Sequence, residues 1–369
     1  MNTSTPTRTG VRTARLDRLR ETMRQRGWAA VLVTDLVDVR YLSGLDSSNA
    51  ALIVTLGEAR VVTDFRYVSA AASLGPGFTL QQVNQALYHE LGSLLGDIVG
   101  SGAVAYSPAT LSHRAFLQLT EGLASEVTLR AVDGAVGELR VVKESAEIDA
   151  IERASAMLGE AYEMVATLGL VGRTEQEVAW LIERFLREHG ADALSFDLIV
   201  AGGVNGALPH HHPGSDPIPD NTLVTVDIGC VVDGYCSDCT RTFPTGDPSG
   251  ELRQIYDITL EAQLAALDAI RPGASGKDID AVARTIITDA GYGECFGHGL
   301  GHGVGLQVHE APRLSRTSDD TLEEGMLVTV EPGIYVPELG GVRIEDLVVV
   351  TADGFRSLTT YPKDFVSVS

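Results

Sequence analysis

The sequence predicts an α/β protein, in the broad sense that includes α+β arrangements, with a small N-terminal domain and a larger C-terminal domain. The chain has 369 residues, which corresponds to roughly two domains. Helical and strand-like stretches alternate to about residue 130, as in a modest α/β domain. A hinge is then expected within residues 134–143, before a long helical pattern begins at Glu144. We therefore place the two domains at residues 1–138 and 139–369.

The N-terminal domain begins with an amphipathic helix over residues 14–26, because Leu16, Leu19 and Met23 recur at helical spacing. Short runs of apolar residues then predict strands. These strands are residues 30–33, 51–56 and 61–64, and an alanine-rich helix follows the last of them.

The C-terminal domain begins with a helical pattern from Glu144 to about Leu170. Thr174 and Glu177 form a capping-box pattern that opens a second helix, to about His189. The remaining predictions are a strand at 196–200, a glycine-rich turn at 201–207, helices at 252–270 and 275–291, and strands at 327–330 and 342–350.

Composition excludes several classes of function. The formal net charge of −22 argues against a nucleic-acid partner, since phosphate binding needs clustered Lys and Arg. Residues 1–10 lack the apolar core of a secretory signal, and no run of eighteen apolar residues predicts a membrane span. We expect a cytoplasmic protein without membrane contact.

Cys236 and Cys239 have CxxC spacing, but the alternating pattern around them favours small buried side chains over a zinc or redox site.

One segment, residues 297–310, combines glycines with His298, His302 and His309, three of the nine histidines. Glycine allows backbone to approach another group closely, and the apolar flanks indicate a buried segment. A flexible surface loop is the alternative, and we favour a functional site. His210, His211 and His212 are also adjacent, but a solvated loop explains such a run equally well.

Two aspartates lie in a predicted hairpin over residues 221–242, whose two-residue turn is Asp233-Gly234. This turn pairs Val232 with Tyr235. Counting back places Asp227 opposite Thr240, with Asp238 diagonal to it on the same face. Two carboxylates among apolar or small neighbours are costly unless a cation lies between them.

Two glutamates repeat this pattern near the C-terminus, where Glu331 and Glu345 each follow a run of β-branched residues. An ion pair with Arg241 or Arg343 is the structural alternative for each acid. Four carboxylates and an imidazole suit manganese, cobalt or zinc. Two divalent cations would balance the four negative charges, whereas one would leave buried charge in excess.

At these residues the chain resembles the pita-bread metallopeptidases, specifically the Xaa-Pro branch that contains prolidase and aminopeptidase P. The resemblance covers nearly the whole chain in ordered blocks. The blocks are 41–44, 64–67, 205–210, 227–242, 298–310, 331–335 and 341–346. It implies a creatinase-like N-terminal domain followed by a pita-bread catalytic domain with two similar α/β halves.

The resemblance also implies a set of metal ligands for two divalent ions. These are Asp227, Asp238, His302, Glu331 and Glu345. Asp238 and Glu345 would bridge the ions, which we expect to be manganese, with cobalt or zinc as alternatives. The bridging hydroxide would attack the substrate carbonyl.

Further roles follow from the same resemblance. His309 would stabilise the carbonyl oxygen as it gains charge, and His298 and His210 would lie near the substrate. Glu331 would carry a proton to the leaving imino nitrogen. His211 and His212 receive no role.

We therefore expect a metal-dependent exopeptidase, a homodimer, that hydrolyses the Xaa-Pro bond at the N-terminus of dipeptides or short peptides. The sequence leaves open whether it is a dipeptidase or an aminopeptidase P. The alternatives are a hydrolase or lyase of a small non-peptide substrate on the same metal scaffold, and a catalytically silent binding module. The intact ligand set disfavours the last. An N-terminal portion of about 140 residues disfavours methionine aminopeptidase.

Overall fold

The computed structural model describes residues 8–84 and 86–368. The chain divides into two compact units, one ending at Arg140 and one beginning at Val141. Within the described residues, no helix has the length and apolar character needed to cross a membrane. The first seven residues, which form most of the segment searched for a secretory signal, lie outside the described part.

The first unit is built around a mixed sheet. Its elements in order are α1 (Arg8–Arg26), β1 (Ala30–Val33), α2 (Leu36–Ser43), β2 (Ala50–Thr55), β3 (Ala59–Thr63), α3 (Val68–Ala72), β4 (Thr79–Gln82), α4 (Leu87–Val99), β5 (Gly102–Tyr106), α5 (His113–Glu121), β6 (Val127–Ala131) and α6 (Gly137–Arg140). The strand order is β4-β3-β2-β1-β5-β6. The β1–β2 and β2–β3 pairs are antiparallel, and the other pairs are parallel.

The amphipathic helix predicted at the N-terminus is confirmed, because Leu16, Leu19 and Met23 on α1 are all buried. The predicted strands at 30–33, 51–56 and 61–64 match β1, β2 and β3 to within two residues. The alanine-rich helix predicted after the third strand is the short α3.

The second unit contains two sets of helices and strands. The first set is α7 (Ser145–Thr167), α8 (Glu175–Glu188), β7 (Ala193–Leu194), β8 (Ile199–Gly202), β9 (Leu223–Ile228), β10 (Cys230–Val232), β11 (Tyr235–Cys236) and β12 (Cys239–Pro244). The second set is α9 (Gly250–Asp268), α10 (Gly276–Asp289), β13 (Gly301–Gly303), β14 (Glu310–Leu314), β15 (Leu327–Val330), β16 (Gly333–Val336), β17 (Gly340–Arg343), β18 (Asp346–Thr351) and β19 (Gly354–Ser357).

Each set forms its own apolar core. In the first, α7 and α8 pack on the β12-β9-β8 sheet, with Tyr162, Ile182 and Val226 among the buried residues. In the second, α9 and α10 pack with β15–β18, around Phe296 and Ile344. This duplication agrees with the two similar halves that the resemblance implies.

The hairpin over residues 221–242 has the predicted register. Val232 pairs with Tyr235, and Asp227 pairs with Thr240. Asp233 and Gly234 both have positive φ, at 53° and 86°, as the predicted two-residue turn requires. The capping box of Thr174 and Glu177 on α8 is also confirmed.

Two strand predictions were wrong in extent. The strand expected at 196–200 begins only at Ile199 and continues to Gly202, before a 3-10 turn at Gly203–Ala207. The continuous strand expected at 342–350 is divided into β17 and β18 by Ile344 and Glu345. The backbone N–H of Glu345 instead donates to Thr240 O, at 3.2 Å. This break turns Glu345 toward the hairpin that carries the aspartates.

Candidate metal centre

A cavity of about 390 Å³ in the second unit brings together every site residue predicted from the sequence. These are His210, Asp227, Asp238, His298, His302, His309, Glu331 and Glu345. The cavity lies where the hairpin of the first set meets β13, β15 and the β17–β18 break of the second. Shared lining is an observation, whereas the role of each residue remains a prediction.

Three of these side chains are close enough to hold one metal ion. Asp238, His302 and Glu345 each offer a ligand atom, and these atoms lie within 4.8 Å of one another. All three residues are buried. Carboxylate and imidazole donors suit the borderline divalent cations of the first transition row.

Glu331 adjoins this group through His302. Glu331 Oε1 lies 3.3 Å from His302 Nε2 and accepts a hydrogen bond from Thr329 Oγ1 at 3.2 Å. Burial opposes ionisation of Glu331, but the hydrogen bond and charge of His302, helped by His298 and Arg343, lower its pKa to about 2. Burial likewise opposes protonation of His302, but Glu331 outweighs this and raises the imidazole pKa.

Asp227 has one paired oxygen and one unpaired oxygen. Arg343 Nη2 donates to Oδ2 at 2.6 Å, so the ion pair weighed as an alternative does form for this acid. Oδ1 is buried and, within the described residues, makes no hydrogen bond. Burial outweighs the arginine and raises the pKa of Asp227. Arg343 therefore occupies Oδ2 of Asp227 and leaves Oδ1 able to bind a metal ion.

In their ionised forms, Asp238 and Glu345 would carry more negative charge than the described side chains balance. Burial, together with the neighbouring acids, raises the pKa of Asp238 and of Glu345 well above the ordinary values. Glu345 Oε1 is buried and makes no hydrogen bond within the described residues. Orphaned acceptors, carboxylates held close together and a neighbouring imidazole fit a site for divalent cations.

The other histidines contact this group from two sides. The ring of His309 lies edge-on to that of His302, with centroids 4.4 Å apart, and burial followed by the His302 charge lowers its pKa. His298 Nε2 lies 2.9 Å from the hydroxyl of Tyr335, and burial lowers the pKa of His298. Tyr335 also accepts from Arg343 Nη1, at 3.0 Å. A continuous contact path thus joins His298 to Asp227.

Sequence reasoning missed several residues that line this cavity or contact its lining. It named Arg343 only as an alternative ion-pair partner and assigned nothing to Tyr335, Arg313 or Glu175. Arg313 is exposed, lines the cavity and lies opposite His302 in the β13–β14 ladder. Glu175 is buried and contacts His211 Nε2 at 2.7 Å. The only signal in the sequence was that each of these charged residues stands within an apolar or helical run. That signal does not show which residue each one contacts.

The cysteines near Asp238 are free thiols. Cys230, Cys236 and Cys239 are buried, as the sequence favoured, and burial raises the pKa of Cys230 to about 11. A thiol of this kind is a poor metal ligand and a poor nucleophile at neutral pH. The site therefore depends on oxygen and imidazole donors.

The fold and the site together define a two-domain enzyme with an acidic metal centre, and similarity to known proteins identifies its family. Residues 149–352 match Metallopeptidase family M24, and residues 15–142 match the Creatinase/Prolidase N-terminal domain. The chain belongs to metallopeptidase family M24 and is a metallopeptidase with a pita-bread catalytic domain. The resemblance inferred from the sequence is confirmed.

Individual relatives agree over nearly the full chain. A Xaa-Pro dipeptidase of Pyrococcus furiosus is 35% identical over 354 residues, covering 95% of this chain and 99% of the relative. The solved Xaa-Pro dipeptidase of Bacillus anthracis has a TM-score of 0.92 at 37% identity, covering 96% and 99% of the two chains. The X-Pro aminopeptidase of Thermotoga maritima has a TM-score of 0.87 at 33% identity, with the same coverage.

Proposed function

We propose that the protein is a metal-dependent Xaa-Pro dipeptidase whose active site is the cavity around Asp238, His302 and Glu345. The observation that carries the proposal is the convergence on this cavity of four acids, three of them buried, and the four histidines of the predicted site. The acids come from separate parts of the chain, and two of them have acceptor atoms that the described residues leave unpaired. The names of the P. furiosus and B. anthracis relatives supply the substrate class.

Five residues would hold the metal. They are Asp227, Asp238, His302, Glu331 and Glu345, and we propose two divalent ions, with manganese as the preferred metal and cobalt or zinc as alternatives. Two ions would match the four carboxylate charges. When bound, such ions lower the pKa of water and polarise a carbonyl group.

Glu331 would move the proton. Its carboxylate is ionised at neutral pH and lines the cavity, so it could accept a proton from water whose pKa a bound metal would lower. It would then pass this proton to the imino nitrogen of the leaving proline. Its hydrogen bond from Thr329 and its contact with His302 fix the carboxylate for this transfer.

The histidines would orient the substrate. The lowered pKa of His309 keeps its imidazole neutral, and a neutral ring can donate one hydrogen bond to the carbonyl oxygen as it gains charge. His298 is held by Tyr335 and would contact the substrate beside the scissile bond. His210 would do the same from the loop before β9. None of these roles needs a protonated imidazole.

Arg313 supports a preference for dipeptides. In a Xaa-Pro dipeptide the proline carries a free carboxylate, and Arg313 presents an exposed guanidinium at the cavity, opposite His302. Arginine binds carboxylates through two parallel hydrogen bonds. A longer peptide has an amide at that position and would gain less from the arginine.

We further propose that the protein is a cytoplasmic homodimer.

Hydrolysis of two related peptides tests the proposal. Purified protein is incubated with Ala-Pro or Ala-Pro-Ala, with manganese or with a chelator, and with Ala-Ala as the control for proline specificity. The proposal predicts metal-dependent release of proline from Ala-Pro and little cleavage of the other two. Efficient cleavage of Ala-Pro-Ala would indicate an aminopeptidase P instead. If metal-loaded protein cuts neither proline peptide, the peptidase proposal fails and the small-molecule alternative replaces it.

A further inference from the structure

Glu175 is a buried carboxylate outside the predicted ligand set. It accepts hydrogen bonds from both ends of the loop that carries His210. Glu175 Oε1 accepts hydrogen bonds from the backbone N–H of Gly202, at 2.8 Å, and from Asn205 Nδ2, at 2.9 Å. Glu175 Oε2 accepts from the N–H of Gly214 at 2.8 Å and lies 2.7 Å from His211 Nε2. All of these partners lie between residues 202 and 214, the segment that we call the His210 loop.

Glu175 is not needed to cap its own helix. It is the first residue of α8, where Thr174 and Glu177 already form the reciprocal capping box. Burial opposes ionisation of Glu175, but the hydrogen bonds from Asn205, Gly202, His211 and Gly214 outweigh it and lower the pKa of this acid. A carboxylate at a helix N-terminus is also favoured by the helix dipole. The Glu175 carboxylate is thus ionised although it is buried, and the hydrogen bonds that stabilise its charge come from the His210 loop.

The His210 loop is anchored by two charged side chains, Arg343 and Glu175. Pro209, His210, His211 and His212 all line the cavity. On the side of the proposed metal ligands, Arg343 Nη1 donates to Pro209 O at 3.3 Å. Glu175 holds the loop at His211 and at its two ends, Gly202 and Gly214. His210 therefore lies between an anchor at Pro209 and an anchor at His211.

We propose that Glu175 is a positioning residue that sets His210 in the substrate cavity by anchoring the His210 loop through Gly202, His211 and Gly214. The proposal rests on the proposed function, because His210 has a role only if the cavity binds substrate. It gives His211, which the resemblance left without a role, the function of a contact between the loop and Glu175.

Glu175→Gln tests the anchor with minimal change in volume. The amide keeps one acceptor oxygen, but it puts an NH₂ group where Oε2 accepts from the N–H of Gly214, so two donors face each other. Glu177→Gln is the matched control. It makes the same chemical change two residues further along the same helix, on an exposed side chain that accepts a hydrogen bond from the backbone N–H of Thr174.

A double-mutant cycle with His210→Ala separates positioning from general destabilisation. We expect Glu175→Gln to lower kcat/KM for Ala-Pro about tenfold or more, because small misplacements of a substrate-contacting group are costly. In the His210→Ala background, the same change should lower kcat/KM less than about twofold. Glu177→Gln should leave kcat/KM unchanged. An equal loss from Glu175→Gln in both backgrounds, or no loss in either, would overturn the proposal.

Amide hydrogen exchange gives a readout that does not depend on catalysis. Peptides that cover residues 199–214 should exchange faster in Glu175→Gln than in the wild type or in Glu177→Gln, because the Gly214 amide loses its acceptor and the loop loses that anchor. If the wild type cleaves no Xaa-Pro peptide, the proposed function fails, and the exchange result still decides whether Glu175 anchors the loop. Unchanged protection across 199–214 would overturn the anchor whatever the activity.

Discussion

The hydroxyl of Thr240 donates a hydrogen bond to Glu345 Oε2 at 2.8 Å, across 105 residues of sequence. Thr240 also accepts from Arg343 Nε at 3.1 Å, and its carbonyl accepts from the N–H of Glu345 at 3.2 Å. Because Thr240 lies directly opposite Asp227 in the β9–β12 ladder, this one residue connects the aspartate hairpin to the C-terminal glutamate. The two halves of the proposed metal centre are aligned through Thr240.

Thr240→Val should weaken metal binding. Valine keeps the volume of threonine but cannot hold Glu345 Oε2, and loss of such a contact to a metal ligand costs about 10–100-fold in affinity. Competition with a chromophoric chelator measures the affinity. Thr240→Ser should restore most of it. Thr225→Val removes a buried hydroxyl from the same sheet without a contact to a proposed ligand, and it should stay near the wild-type value. Equal affinities in the two valine variants would contradict the role of Thr240.

Asp238→Asn should stabilise the metal-free protein at neutral and alkaline pH. The folded-state pKa of Asp238 is raised by burial and by the neighbouring acids, so metal-free folded protein holds a proton that the unfolded chain releases above about pH 4. Wild-type stability therefore falls as pH rises from that value through the raised pKa. Asparagine does not titrate, and the variant should gain about 1–3 kcal/mol at pH 8.

Thermal unfolding with chelator, repeated from pH 4 to 8, measures this difference. The advantage of Asp238→Asn should shrink as pH falls, because the wild-type carboxyl then becomes protonated. With saturating manganese the order should reverse, because only the wild type keeps the full ligand set. An advantage that grows toward low pH would show that Asp238 is not an uncompensated buried charge.

Arg313→Met should raise KM for Ala-Pro more than it lowers kcat. A hydrogen bond to a charged partner contributes about 1.5–3 kcal/mol, which corresponds to an increase of about tenfold or more in KM. Cleavage of Ala-Pro-Ala should change less, so dipeptide selectivity should fall. Arg316→Met removes another exposed arginine three residues further on and should leave KM unchanged. Equal KM values for the two variants would exclude Arg313 as the carboxylate contact.

Lys143→Met should destabilise the second unit. Lys143 Nζ lies 3.3 Å from Glu310 Oε2, and both side chains are almost fully buried, next to His309. Removing one member of a buried ion pair costs about 3–5 kcal/mol, since the remaining charge stays buried. Urea unfolding measures the loss. Arg184→Met, which breaks the exposed pair with Glu188, should cost less than about 1 kcal/mol. Similar costs for both variants would contradict the importance of burial.

Local sequence pattern was enough to predict the hairpin register and the helix start at Thr174. A two-residue turn leaves a single way to pair the strands, so Asp233-Gly234 places Asp227 opposite Thr240. The resemblance then supplied the site residues that the structure brings to one cavity. Both kinds of information depend on short stretches of chain or on ordered motifs.

Contacts between distant segments could not be predicted in this way. The break between β17 and β18 arises because Glu345 bonds to Thr240 rather than continuing its strand, and nothing in the β-branched run signals this partner. The pairing of Arg343 with Asp227 and the four contacts of Glu175 likewise join residues far apart in sequence. Such contacts depend on tertiary packing, and tertiary packing produces no periodic pattern of residues that could be recognised in the sequence.

Titration of metal into chelator-stripped protein shows whether proline release requires bound metal. Proline release from Ala-Pro is measured against added equivalents of manganese, for the wild type and for Asp238→Asn. We expect no activity without metal, a rise that levels off at about two equivalents in the wild type, and no rise in the variant. Proline release by metal-free protein, or equal activation of Asp238→Asn, would contradict this expectation.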